Sequence, residues 1–92
     1  MLPVIWLGSA LDDLGQITGY IAGFNPQAAS RLNAKLHDDA QALGQAMVQY
    51  RRGRVSGTHE FVSHPNYVII YRRTLAAVEI LNVLHTRQEH PK

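Results

Sequence analysis

The chain contains no cysteine, which excludes disulfide frameworks, thiolate metal sites and cysteine nucleophiles and fits a reducing compartment. It also lacks any apolar run near the roughly 20 residues that cross a bilayer. The opening Met1–Leu7 carries no basic residue ahead of its short apolar stretch, so it does not read as a secretory signal. The expectation is a cytoplasmic protein with no membrane association. No Gly-rich phosphate loop is present, and Ser9, Ser30, Ser56 and Ser63 stand in no nucleophile context. His37, His59, His64, His85 and His90 lack metal-ligand spacing, so neither a metal nor a cofactor is expected.

What is there is ordinary globular material in 92 residues, enough for one domain spanning 1–92 and one modest core. A core of this size leaves room for a bound partner to add stability. Charge is uneven along the chain. Residues 1–50 hold Arg31 and Lys35 against Asp12, Asp13, Asp38 and Asp39, a net of −2. Residues 51–92 hold seven basic residues, six of them arginine, against Glu60, Glu79 and Glu89, a net of +4. Arginine suits forked contacts to phosphate or carboxylate, although a solvated basic face has the same composition.

Val4-Ile5-Trp6-Leu7 reads as a short, largely buried strand, with Pro3 at its entry. Ser9 offers a helix N-cap with Asp12 three residues on. Leu11, Leu14, Ile17, Ile21 and Phe24 then recur at helical spacing as one apolar stripe. Gly15, Gly19 and Gly23 share a face of this helix and suggest a smooth packing surface. Asn25-Pro26 ends it and starts another, with asparagine as cap and proline at the first position. The second helix is expected from Pro26 to about Met47, burying Ala29, Leu32, Leu36, Leu43 and Met47, with Arg31, Lys35 and Asp38 outward. The short link makes a helix hairpin.

Beyond Tyr50 the period changes to alternation. Arg51-Arg52-Gly53-Arg54 reads as a basic loop and Ser56-Gly57 as a turn. Strands are expected over Thr58–Ser63, Tyr67–Arg73 and Val78–His85, joined at His64-Pro65-Asn66 and Thr74–Ala77. The polar tail 86–92 is expected to fray. The order β-α-α-β-β-β implies an α+β fold, a helix hairpin packed on one face of a largely antiparallel sheet whose other face is open to a partner.

Several short strings, taken in order, resemble the RelE/ParE superfamily of type II toxin–antitoxin toxins, the ParE branch most closely. They are Trp6 with Ser9-Ala10 and Asp13-Leu14, Tyr20-Ile21-Ala22, Asn25-Pro26-Gln27-Ala28-Ala29, Gly53-Arg54, Gly57-Thr58-His59-Glu60, Pro65-Asn66-Tyr67, Tyr71-Arg72 and Val83-Leu84-His85-Thr86-Arg87. Each is unspecific alone; the ordered set, over nearly the whole chain, is not. Two departures fall beside the expected working surface. His59 stands where the family often has arginine, and Gln49-Tyr50-Arg51-Arg52 replaces a stretch that commonly holds proline.

The resemblance implies a toxin held by a cognate antitoxin, whose disordered segment folds into the groove between helix hairpin and sheet, with Leu11, Leu14, Ile17 and Ile21 as candidate docking residues. The ParE branch implies DNA gyrase as the target, trapped by binding alone, with Arg54, His59, Arg72, Arg73 and Arg87 as contact residues. The RelE branch implies instead cleavage of mRNA on the translating ribosome. Attack of a 2′-OH needs a general base, a general acid and a cation at the phosphate. His85 with Arg72 and Arg87, and Glu60 as a partner, are the available candidates. Perfect alternation would put His85 on one face with Glu79, Leu81 and Val83, against Val78, Ile80, Asn82 and Leu84 on the other. A structural histidine at the strand end is the competing account of His85. Core packing likewise competes with base stacking for Tyr67 and Tyr71. Asp12-Asp13 and Asp38-Asp39 read as a helix cap and a solvated helix face.

Overall fold

Two apolar-striped helices and four strands follow one another: β1 (Val4–Trp6), α1 (Gly8–Ala22), α2 (Pro26–Leu43), β2 (His59–His64), β3 (Tyr67–Arg73) and β4 (Val78–His85). The computed structural model describes residues 1–45, 52–53 and 55–87. The expected order β-α-α-β-β-β is the observed one, and the sheet runs β1-β4-β3-β2. β2, β3 and β4 form the antiparallel meander, and β1 joins β4 in parallel, Val4 beside Val78 and Trp6 beside Ile80.

β1 passes almost directly into α1. Leu7 N–H still donates to Ile80 O (3.0 Å), and Leu7 O accepts from Ala10 and Leu11 N–H (3.0 Å each), which starts the helix at Gly8. Leu7 is therefore the cap residue, without a side-chain cap bond. Ser9, expected in that role, donates its hydroxyl to Leu81 O (2.6 Å) across to the sheet. β1 is only half-buried, since Ile5 faces outward.

The buried stripe of α1 is also displaced from the expected one. Ala10 and Leu14 are in the core and Ile17 and Ile21 pack against it, whereas Leu11 is half exposed and Phe24 lies open. Spacings of four, three and four make 10, 14, 17 and 21 one continuous ridge. Ala10 is absent from the expected stripe because one methyl adds little to an apolar pattern. Gly15 and Gly19 are exposed with open space where a Cβ would stand, so they pack on nothing among the described residues.

In α2, Asn25 Oδ1 accepts from Ala28 N–H (3.1 Å) with Pro26 following, as expected. Ala29, Leu32, Leu36, Ala40 and Leu43 are buried. The helix ends at Leu43, short of the expected bound, and Met47 lies outside the described residues. Gly44 follows it: Leu2 N–H donates to its carbonyl (2.9 Å), and any Cβ there would collide with Leu2 O and Val4.

β3 and β4 match their expected bounds; β2 begins and ends one residue later than expected. Two bulges reset their phase. In β4, Ile80 pairs Tyr71 and Asn82 pairs Ile70, leaving Leu81 as the extra residue. In β2, Ser63 is the extra residue between Val62 and His64. Strict alternation in β4 is thereby overturned: Val78, Ile80 and Val83 are all buried against the helices, and His85 joins Val83 on that side. The core they share with Leu32, Leu36, Ile69 and Tyr71 stabilises the fold by about 1.5–3 kcal/mol for each large side chain fully removed from water. On the second face, expected to be open, Val68 and Ile70 are buried as well.

Candidate functional site

The chemistry-bearing residues of the meander separate into two groups. The first stands at the end of the sheet where β3 begins and β4 stops. Tyr67 pairs His85 across the strands, and the rings of His64, Tyr67 and His85 form a row, with centroids 5.7 Å and 5.4 Å apart. Both imidazoles have their tautomer fixed by the backbone. His64 Nδ1 accepts from Asn66 N–H (3.0 Å) and His85 Nδ1 from Arg87 N–H (3.1 Å), so in the neutral rings the proton is on Nε2.

α1 closes over this end. Asp13 Oδ2 accepts from Asn82 Nδ2 and Val83 N–H (3.0 Å each), immediately after the Leu81 bulge whose carbonyl takes Ser9. Asp13 thus holds the strand instead of capping its own helix, as its sequence position had suggested. Between α1 and the strand ends lies a cleft of about 320 Å³, floored by Ile17 and Val83 and edged by Gln16, Tyr20, Tyr67 and His85. Tyr20, on its edge, forms an exposed edge-to-face pair with Phe24, 5.2 Å between centroids. Nothing in the helical pattern had singled out Tyr20 and Gln16, which fall between apolar positions.

The second group lies at the far end of β3, about 16 Å along the strand from Tyr67 at 3.3 Å per residue. Arg72 projects from the opposite face, opposite Glu79, whose Oε1 accepts from Arg72 Nε (2.8 Å) and Nη2 (2.6 Å). Arg73, on the helix side, reaches the C-terminal end of α2 and donates to Leu43 O (3.4 Å), a favourable position for a cation. Glu60 is buried opposite Ile70, on the face away from His85.

The sequence candidates for catalysis are therefore not assembled. His85 and Arg87 are neighbours at one end; Arg72 is at the other end and on the other face, as is Glu60 with respect to face. The contact arginines do not form one patch either, and Arg54 lies outside the described residues. His59 stacks on the buried Tyr71 (5.5 Å) with its Nδ1 buried and unbonded, so its ring addresses the core more than the surface. Tyr71, 2% exposed, is a core residue. Of the candidate docking residues, Leu14 is in the core, Ile17 and Ile21 are half-buried, and Leu11 is the most accessible.

Asp38 is solvated as expected, but Asp39 accepts from the buried Ser63 hydroxyl and from Lys35 Nζ (3.2 Å). Thr86 is tied to the β2–β3 turn through Asn66 O (2.8 Å) and Pro65 O (3.1 Å), so the tail is anchored this far; residues 88–92 lie outside the described ones. Among the described residues no group of three or more His, Asp or Glu is placed to hold a metal ion, and no helix is long and apolar enough to cross a membrane.

Comparison with known proteins gives this arrangement its relatives. A family model described as the ParE toxin of the type II toxin–antitoxin system, parDE, matches residues 4–90. The toxin-named protein Y4kP of Sinorhizobium fredii is 36% identical over 87 residues, covering 95% of this chain and 91% of that protein. Toxin RelE2 of Caulobacter vibrioides is also 36% identical over 87 residues, covering 92% of this chain and 96% of that protein. A solved chain of the chromosomal ParDE system from P. aeruginosa superposes with a TM-score of 0.83 at 18% identity, covering 92% of this chain and 96% of that one. At that identity the last match speaks for the fold.

Proposed function

The chain belongs to the ParE toxin family of type II toxin–antitoxin systems, and from that premise we propose that it stops growth by binding DNA gyrase, without cutting RNA. A toxin of this class has a cognate antitoxin as its partner. Support for a binding mode comes from one observation, the separation of His85 from Arg72 and Glu60. A nuclease needs base, acid and cation around a single phosphate. Here the nearest such set is reduced to His85 and Arg87, with His85 Nδ1 already engaged by the backbone.

The antitoxin segment docks on the exposed side of α1 and in the cleft beside it. Leu11, Ile17 and Ile21 offer apolar area, Tyr20 and Phe24 offer large aromatic surface, and Gln16, Tyr67 and His85 offer hydrogen bonds. Such a floor with a polar edge is what a helix-in-groove partner requires. Arg72 and Arg87, both exposed, serve as target contacts.

A second reading, ribosome-dependent mRNA cleavage, is favoured by the 36% identity to toxin RelE2. The two are separated by His85→Gln. A binding toxin carrying this change still arrests growth when induced without antitoxin, and primer extension on translated mRNA finds no new ends for either protein. Loss of arrest in a folded variant, together with codon-linked mRNA ends from the wild type, would favour the nuclease.

A further inference from the structure

The hairpin that leads into β2 has a geometry that only its own glycines allow. Arg52 pairs His59 in an antiparallel bridge, and Gly53 N–H donates to Thr58 O (2.8 Å). Thr58 closes the tip on Val55 O through its N–H (3.1 Å) and its hydroxyl (2.6 Å). A Cβ on Gly53 would collide with Thr58 Oγ1, and Gly57 takes φ +82°, a conformation that L side chains seldom adopt. The tip frames a cavity of about 510 Å³, lined by Arg52, Ser56, Thr58 and His59 and by the bare backbone of Gly53 and Gly57. Val55 is the one apolar side chain among the described residues around it.

The charge here is of one sign. No acidic residue occurs between Asp39 and Glu60. Arg52 is exposed and has no carboxylate partner among the described residues. Arg73 adds its charge at this end, on the face it shares with Tyr71, the partner of His59; its bond to Leu43 O leaves that charge intact. Glu60 and Glu79 both belong to the opposite face, where Glu60 is buried and Glu79 is held by Arg72. Ser56 and Gly57 are exposed, and among the described residues neither their N–H groups nor the Ser56 hydroxyl have a partner.

We propose that this cavity takes a phosphate of duplex DNA, with Arg52 as the charged fork and Ser56 and Gly57 as the remaining donors. The proposal rests on the gyrase reading above, in which the toxin meets DNA on its target, and adds a contact to the nucleic acid itself. Arginine, serine and backbone N–H groups are the donors that hold DNA phosphates, and a loop already fixed loses little freedom on docking. Arginine fits a carboxylate as well, but the centre of a protein interface draws on large apolar or aromatic anchors, and Val55 is small. Single-stranded RNA fits poorly for a related reason. Its recognition depends on bases stacked on accessible aromatic rings, and Tyr71 beneath His59 is 2% exposed.

The test measures binding of full-length toxin to a short fluorescent DNA duplex over a range of salt. The proteins are wild type, Arg52→Gln, Arg52→Lys and Arg31→Gln, the last at an exposed arginine on α2. Wild type binds with an affinity that falls as salt rises. Arg52→Gln weakens binding about ten-fold and lowers the log–log salt slope by about 0.9, the share of one phosphate. Arg52→Lys keeps the slope, and Arg31→Gln, which removes the same charge elsewhere, stays within about two-fold of wild type. Arg52→Gln binding as wild type does, or an equal loss in Arg31→Gln, overturns the site. Tighter binding of single-stranded RNA or polyglutamate than of the duplex overturns the choice of DNA. A wild type that arrests growth without binding the duplex overturns this proposal alone. One that binds the duplex but leaves growth untouched when induced without antitoxin overturns the toxin reading beneath it.

Discussion

The two ends of the sheet use the same residue types for opposite purposes. At the His85 end, polar groups are turned inward: Asp13 and Ser9 hold the Leu81 bulge, and each of two histidines is fixed by a backbone N–H. At the Leu75 end, Arg72 and Glu79 pair with each other on the surface, Arg73 reaches the Leu43 carbonyl, and Leu75 projects. Polar residues in a cleft therefore need not be reactive ones. Here they position strands and edge the cleft beside α1.

Stability measurements can break this comparison. Asp13→Ala should have the largest effect. It removes two hydrogen bonds to a carboxylate and leaves Val83 N–H unsatisfied, at a cost of about 2–3 kcal/mol. For a domain of this size that lowers the melting temperature by roughly 10 °C, readable by circular dichroism. A shift of a degree or two would mean that the bulge forms without α1. Ser9→Ala removes one neutral hydrogen bond to Leu81 O, about 1 kcal/mol, and faster amide hydrogen exchange confined to the bulge would locate the loss. Smallest is Glu79→Ala at the other end. The pair it breaks is exposed enough that solvent screening leaves about 0–1 kcal/mol. A loss there as large as that of Asp13→Ala would remove the contrast between the two ends.

Much of this architecture was legible in the sequence, because it depends on local signals. Asn25-Pro26 marks a helix junction on its own, and the β-branched and aromatic run Tyr67–Arg73 marks a strand to the residue. The phase of β4 was not legible. No glycine or other local sign marks Leu81 as a bulge; it is held by Ser9 and Asp13, some seventy positions earlier. For the same reason those two residues looked like helix-cap material. The candidate site was legible as a list of residues and illegible as an arrangement. Arginines and a histidine on neighbouring strands do not reveal that one bulge and one register put them on different faces and at different ends.

The measurement closest to the central claim is supercoiling of relaxed plasmid by purified gyrase with this toxin added in excess. Action by binding predicts that supercoiling falls and enzyme-linked cleaved DNA accumulates, and that prior addition of the antitoxin abolishes both. Undiminished supercoiling by gyrase, with toxin that still arrests cells and cuts translated mRNA, would contradict it.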